Sequence, residues 1–467
     1  MLGAVAVVSV TPATAAVNPV LGYDTATDAG GLGWIARMVN ATGSWSAGMT
    51  GKGVDVALID SGVAKVPGLT SGNVVYGPDL SFDSQVAGSQ YTDGYGHGTH
   101  MASIIAGRDA AGTPAAYASG TMFTGIAPDS RVVSLKVAAA NGAVDITQVI
   151  AAVNWVTQHA HDYGLNIRIL NLSYGLDSVQ DYRLDALSYA VEQAWKKGIL
   201  VVVAGGNDGT TRQELASPAT NPYVLAVGAE DPNGTLDPQD DTVPAFAQRG
   251  TLARHVDLVA PGVHLLGLRA PGSTVDQTNA AARVGTRFIR GSGTSQAAAV
   301  ISGVAALLAQ RNPTATPDQL KYALMQAGRK FAAAKDVWQG VGVVDLAKAQ
   351  SVKVSSATLQ AYPVSTGAGT LEASRGSSHV SIGGVTLTGE KDIFGRLWAP
   401  GGHSWVGGTF NGSAWTGTSW AAANVWALAP WTGMDWSGGT WSGSAWTSRT
   451  WVTGTWTSRT WVVSTWV

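Results

Sequence analysis

The sequence predicts an α/β protein with a mostly parallel central sheet covered by helices on both faces, joined to a C-terminal tail of another character. Between about Gly51 and Gln350, short β-branched runs (VDVALID, RVVSLKV, IRILNLS and ILVVVAG) each end in polar residues or glycine. Stretches with helical spacing, ITQVIAAVNWVTQHAHDYG and RLDALSYAVEQAWKKG, lie among them. Apolar strands alternating with amphipathic helices are what a parallel sheet buried on both faces requires. After about residue 350 the composition shifts to Ser, Thr and Gly, and tryptophans then recur at a fixed step. In open α/β sheets ligands bind beyond the carboxyl ends of the strands, so the residues that end these runs are the functional candidates.

Composition narrows the class. The 467 residues can bury a large core, and 29 Lys and Arg against 31 Asp and Glu give a net charge of −2. That balance points away from a nucleic-acid partner and from steering by a field of one sign. Charged residues make up 13 % of the chain, against the usual share of about 25 %. With no cysteine, disulfides, a thiolate nucleophile and thiolate metal sites are excluded.

In chain order, MLGAVAVVSVTPATAA comes first. Its apolar run from Leu2 to Val10, followed by small residues, reads as a truncated signal peptide over 1–16, the basic segment being absent because no Lys or Arg precedes Arg37. A disordered apolar N-terminus on a cytosolic protein is the competing reading. The run is too short to cross a membrane, and no other stretch reaches about 18 apolar residues. The chain is therefore expected to be secreted, extracellular or cell-surface associated, with no membrane span. Residues 17–44 form an N-terminal extension.

Asp60 ends VALID and is followed by Ser61 and Gly62. A carboxylate there can face a cleft while glycine turns the chain away, although an ordinary strand-end cap would look the same. His97 lies in DGYGHGTHMASIIAG between Gly96 and Gly98, at a loop-to-helix entry. His100 is the alternative base, but its place inside the helix favours packing or capping. In GSGTSQAAAV, residues 291–300, the small residues around Ser295 either pack a helix start or admit a substrate backbone to a hydroxyl nucleophile. Asp60, His97 and Ser295 together supply an orienting carboxylate, a general base and a nucleophile. The G-x-S-x-G elbow, which goes with the chain order Ser, Asp, His, is absent. A developing oxyanion also needs a donor already in place, and Asn207, directly after ILVVVAGG, fits.

These blocks resemble the subtilisin-like serine endopeptidases (subtilases). VALIDSG, GHGTHMASIIAG, ILNLSYG at 169–175, VVVAGGN, VDLVAPG at 256–262 and GSGTSQAAA stand in that family's order over residues 45–350, the expected peptidase domain. The resemblance implies a subtilisin-like three-layer fold and an acyl-enzyme mechanism acting on protein or peptide substrates. Ser295 would attack, His97 would carry the proton, Asp60 would hold the imidazole, and Asn207 with the Ser295 N–H would form the oxyanion hole. Ser173, Tyr174 and Gly175 would pair with the substrate backbone, and Gly205 and Gly206 would floor the primary specificity pocket. The chemistry requires no cofactor; structural calcium is common in the family, with no metal ligands assignable here. Two features depart from the pattern. Ala299 replaces the usual proline, which at a helix's first turn is tolerated and whose loss strains nothing. The extension is also too short for the inhibitory pro-domain that assists folding in many members.

The tail is read as a Ser/Thr/Gly-rich linker over 351–400 and a Trp repeat over 401–467, of short β and turn or low-complexity character. Trp426, Trp431, Trp436, Trp441, Trp446, Trp451, Trp456, Trp461 and Trp466 are five apart, and Trp405, Phe410, Trp415 and Trp420 keep a step of five. Five suits neither a helix nor one face of a strand. Each repeat fits a short extended piece and a turn stacked on the next. Exported bacterial subtilases with Trp-repeat tails resemble this arrangement. Aromatic rings spaced by hydroxyls can stack on cell-wall polysaccharide; a low-complexity extension without a ligand explains the pattern equally. The alternative to an endopeptidase is a surface or cell-wall-binding protein whose tail is the main functional part. A chain ended near Gln350 is expected to fold and cleave.

Overall fold

The computed structural model describes residues 18–393, apart from 19–20, 26, 86–87, 89–90, 163, 333, 354–358 and 383–384, together with 409–410 and 415–416. The signal peptide expected over 1–16 and nearly all of the Trp repeat lie outside the described residues. Of the repeat, Thr409–Phe410 and Trp415–Thr416 pair as antiparallel strands, Phe410 opposite Trp415.

The continuous apolar runs become strands. In chain order these are β1 (Asp55–Asp60), β2 (Val74–Asp79), β3 (Arg131–Lys136), β4 (Ile167–Leu172), β5 (Leu200–Ala204), β6 (Leu225–Glu230) and β7 (Leu258–Pro261). They lie in the order β7-β6-β5-β4-β1-β3-β2, all parallel. β8 (Leu265–Leu268), β9 (Arg283–Val284) and β10 (Phe288–Gly291) make a small antiparallel sheet. β11 (Gly328–Arg329) and β12 (Val343–Val344) extend the large sheet beyond β7, β12 parallel to it and β11 antiparallel to β12. Every residue of β1, β4, β5, β6 and β7 is buried, which is why these strands carry no polar alternation.

Two pairs of helices cover the sheet. Ile146–His159 packs on Ala186–Lys196, and His97–Ala106 packs on Thr294–Arg311, which also lies across β4 to β7. The sequence marks the start of the first two. Asp145 accepts from the Thr147 amide at 3.0 Å and forms a capping box with Gln148, and Asp185 accepts from the Ser188 amide at 2.8 Å. The helix that carries Ser295 is buried all round from Thr294 to Ala309, as a helix through the middle of a domain must be. Its small residues make that burial fit: a Cβ on Gly303 would come within 2.6 Å of the Ile126 Cβ.

The span 351–400, read as a linker, is in large part folded onto the domain. Leu371, Val380, Leu387 and Ile393 are buried, a short helix runs over Leu371–Arg375, and Ser381–Ile382 pairs with Val385–Thr386. The Arg375 side chain, with none of its surface exposed, pairs with the equally buried Asp145 at 2.7 Å. Ser, Thr and Gly dominate this span and hid the few apolar residues that anchor it. A chain ended at Gln350 would lose Arg375, the partner of Asp145, together with the buried Leu371, Val380, Leu387 and Ile393, so the end point that keeps the docked segment moves to about residue 395.

Glu230, the last residue of β6, and Asp241 are both wholly buried. Burial, with Asp241 beside it, pushes the Glu230 carboxyl well above the usual carboxylate range, and burial pushes Asp241 up to about 7. An acid raised on folding holds its proton where the unfolded chain has lost it. Its contribution is therefore fully present below about pH 4 and is lost as pH rises through about 7. Asp241→Asn should raise Tm by a few degrees at about pH 8 and change it little at about pH 5. Thermal melts at the two pH values check this, and equal loss at both would show that the carboxyl itself is needed.

Candidate active site

β1 ends in Asp60 with β4 on one side and β3 on the other, so its carboxylate is fixed by the middle of the sheet. The Ser61 amide donates to Asp60 Oδ1 at 2.8 Å. His97 is the first residue of its helix, entered through Gly96 at φ 105°. Its Nδ1 lies 2.7 Å from Asp60 Oδ1 and 2.9 Å from Oδ2, and both side chains are buried. The approach is possible because the next residue is Gly98: a Cβ there would sit 2.1 Å from the Gly62 carbonyl oxygen. With Nδ1 turned to the carboxylate, Nε2 is the nitrogen suited to proton exchange with a nucleophile.

His100 does something else. Its Nε2 faces the carbonyl oxygens of Leu265 at 3.3 Å and Ile289 at 3.2 Å. Burial and the neighbouring His97 push its pKa down to about 3, so it stays neutral. It ties its helix to β8 and β10, in line with the packing role read from its position.

Asp93 belongs to this corner and was missed from the sequence. Fully buried, it accepts from Ser61 Oγ at 2.8 Å, from the amides of Gly96 at 2.6 Å and Thr99 at 2.8 Å, and from Thr99 Oγ1 at 2.6 Å. Ser61 Oγ in turn accepts from the Gly98 amide at 2.9 Å. One carboxylate thus fastens the first turn of the His97 helix to the residue after Asp60. Burial raises the Asp93 pKa, opposed by those four hydrogen bonds. The available signal was an acidic residue four positions before His97, which without a partner in view reads as an ordinary loop aspartate.

Ser295 is the second residue of the helix Thr294–Arg311 and is buried. Its amide is among the first four of a helix, which lack intrahelical acceptors and point toward the positive end of the dipole. Asn207 sits against the same turn. Its Oδ1 accepts from the Thr294 amide at 2.9 Å and from Thr294 Oγ1 at 3.0 Å. Because those donors require an acceptor, the Asn207 side-chain NH₂ must face away from them. The Gly206 amide donates to Thr294 Oγ1 at 3.1 Å, and Ser173 Oγ donates to the Ser295 carbonyl at 3.3 Å. Leu172 pairs with Ile59, so Ser173 lies one step beyond, alongside Asp60, and joins the Ser295 cluster to the Asp60 and His97 cluster.

The remaining candidates follow the carboxyl ends of β4 and β5. Tyr174 is buried, so the segment Ser173 to Gly175 offers a partner its backbone rather than an exposed ring. Gly175 lies against Ala216, where a Cβ would come within 2.6 Å of the Ala216 Cβ. The Gly205 amide donates to the Val227 carbonyl at 2.8 Å, and its carbonyl accepts from the Ala216 amide at 3.0 Å. Gly206, at φ +114°, has Gln248 Oε1 where its Cβ would point. Ala299 is the sixth residue of its helix, not within the first turn as read from the sequence. By helix geometry its N–H points at the Ser295 carbonyl, a donor that proline lacks. Among the described residues no three His, Asp or Glu side chains converge on a metal position, and no helix is long and apolar enough to cross a membrane.

Comparison with known proteins places the chain in a family. Residues 51–356 match the Subtilase family of peptidases. Serine protease AprX of Bacillus subtilis (strain 168) is 36 % identical over 306 residues, covering 64 % of this chain and 66 % of AprX. Subtilisin BL of Lederbergia lenta is 32 % identical over 289 residues, 62 % of this chain and 88 % of that protein. Among solved structures, fervidolysin from Fervidobacterium pennivorans, described as a keratinolytic enzyme related to subtilisin, matches with a TM-score of 0.55 at 25 % identity, over 71 % of this chain and 48 % of that one. The chain spans just under two thirds of AprX and about half of fervidolysin. With a matched region of more than half its length and a buried carboxylate–imidazole pair at the carboxyl edge of a parallel sheet, the chain belongs to the subtilase family.

Proposed function

We propose that this subtilase is a secreted serine endopeptidase that hydrolyses peptide bonds through Asp60, His97 and Ser295. The observation that carries the reading is the buried contact of His97 Nδ1 with both oxygens of Asp60, while the other candidate base has its Nε2 turned to two carbonyls. Ser295 Oγ attacks the scissile carbonyl as His97 takes its proton at Nε2, and Asp60 stabilises the imidazolium. The oxyanion is met by the Ser295 amide and the Asn207 side-chain NH₂, directed away from Thr294. His97 then returns the proton to the leaving amine, and water repeats the sequence on the acyl-enzyme. The substrate backbone lies along Ser173 to Gly175, with Gly205 and Gly206 under the adjoining side chain.

Ser295→Ala and His97→Ala should each lower turnover by about 10⁴ to 10⁶ with the fold retained, because triad members act as a unit. His100→Ala should act mainly on stability. Equal loss of turnover in folded His97→Ala and His100→Ala would contradict the assignment of the base. Asn207→Ala should lose about 10² to 10³ in kcat with KM little changed, since its amide is needed when charge develops. An effect confined to KM would make it a substrate-binding residue.

For the tail we propose retention on cell-wall polysaccharide, supported by the five-residue spacing of its rings. Full-length protein should pellet with purified cell-wall material, whereas a chain ended near residue 395 should stay in solution at comparable peptidase activity. Equal pelleting removes the anchoring reading.

A further inference from the structure

The folded segment beyond residue 359 bonds to the domain along much of its length, and two sets of these contacts fall on the chain that follows β3 and the chain that follows β4. The sheet order places β4 and β3 on either side of β1. The chains leaving their carboxyl ends therefore flank the catalytic corner: Ser173 onward after β4, and the approach to Asp145 after β3. On the β3 side, Arg375 Nε donates to Asp145 Oδ2 at 2.7 Å, the carboxylate whose other oxygen takes the Thr147 amide and hydroxyl at 3.0 and 2.6 Å. Arg375 Nη1 donates to the Gly389 carbonyl at 2.7 Å and Nη2 to that of Lys391, so the guanidinium is held from behind.

The next two residues reach the β4 side. Gly376, at φ +60°, lies where any Cβ would be 2.2 Å from the Asp177 carbonyl oxygen. The Ser377 amide donates to Asp177 Oδ1 at 2.8 Å, and Ser377 Oγ donates to Oδ2. The Ala373 carbonyl accepts from the Val179 amide at 3.1 Å and from Ser178 Oγ at 3.2 Å. Gln180 Nε2 donates to Ser374 Oγ at 2.6 Å. Residues 373–377 thus fasten residues 177–180, which continue the segment Ser173 to Gly175, to Asp145 at the cap of its helix.

We propose that residues 373–377 clamp the two chain segments flanking the catalytic corner, with Arg375 as a positioning residue, and so set the enzyme's preference for an extended peptide over a single-residue substrate. This rests on the reading that Ser173 to Gly175 pair with the substrate backbone. A minimal ester needs only the triad and the oxyanion donors, whereas each further residue of a peptide must find both walls in register. Loosening the clamp leaves the first requirement intact and weakens the second.

The test compares kcat and KM for one activated single-residue ester and for peptides of increasing length that share its scissile residue. Wild type, Arg375→Lys and Ser377→Ala are measured, with active sites counted by a burst titrant. Arg375→Lys keeps the buried charge but loses the fork that reaches both Asp145 and the two carbonyls; Ser377→Ala, at an exposed position, loosens only the Asp177 contact. Both should hydrolyse the ester within about twofold of wild type and lose roughly tenfold in kcat/KM on the longest peptide, mainly through KM. An unchanged gain with peptide length in folded variants overturns the clamp, as does an equal fall on ester and peptide. If Arg375→Lys does not fold, Ser377→Ala and Asp177→Asn carry the test. A wild type that cleaves peptides without any gain from length overturns the clamp alone. One that hydrolyses neither ester nor peptide overturns the endopeptidase reading, and the clamp with it.

Discussion

A carboxylate and an imidazole held 2.7 Å apart, with neither side chain in solvent, have to be supported from behind, and much of this fold is that support. Asp60 cannot move without β1, which lies between β4 and β3 in the middle of a parallel sheet. His97 cannot move without its helix, whose first turn is fastened through Asp93 and Ser61 to the residue beside Asp60. Leaving the carboxylate unpaired in the interior would cost several kcal/mol. The pair therefore selects a backbone in which Gly98 can come against Gly62, whereas Gly96 is required by its positive φ and by Ser273.

The Ser295 side of the corner is built differently. Its geometry comes from backbone amides at a helix start and from one amide side chain whose orientation is dictated by Thr294. Such donors are in place before any substrate arrives, which is the condition for stabilising an oxyanion without reorganisation. Ser173 ties the two halves together by bonding to the Ser295 carbonyl. The clamp at 373–377 extends the same principle outward, from the reacting atoms to the walls along which a peptide would lie.

The sequence made the strand-ending residues legible because a buried parallel strand is a continuous apolar run, and its first polar residue marks the sheet's carboxyl edge. Asp60 and Asn207 were found in that way, and His97 by the glycines on either side of it. Asp93 was not, since its four hydrogen bonds go to groups that only the folded turn brings together. The Arg375–Asp145 pair joins residues far apart in the chain, and no local periodicity records it; composition alone turned a docked segment into a linker. Ala299 was misplaced because a helix's first residue cannot be fixed to within a turn from GSGTSQAAA, where glycine and alanine leave the boundary unmarked.

The account stands on Ser295 being the activated nucleophile, and covalent labelling tests this most directly. Native protein treated with a tagged serine-directed phosphonate and mapped by peptide mass should carry a single adduct on Ser295, and His97→Ala should suppress it. A tag on another serine, or no tag on folded protein, would contradict it.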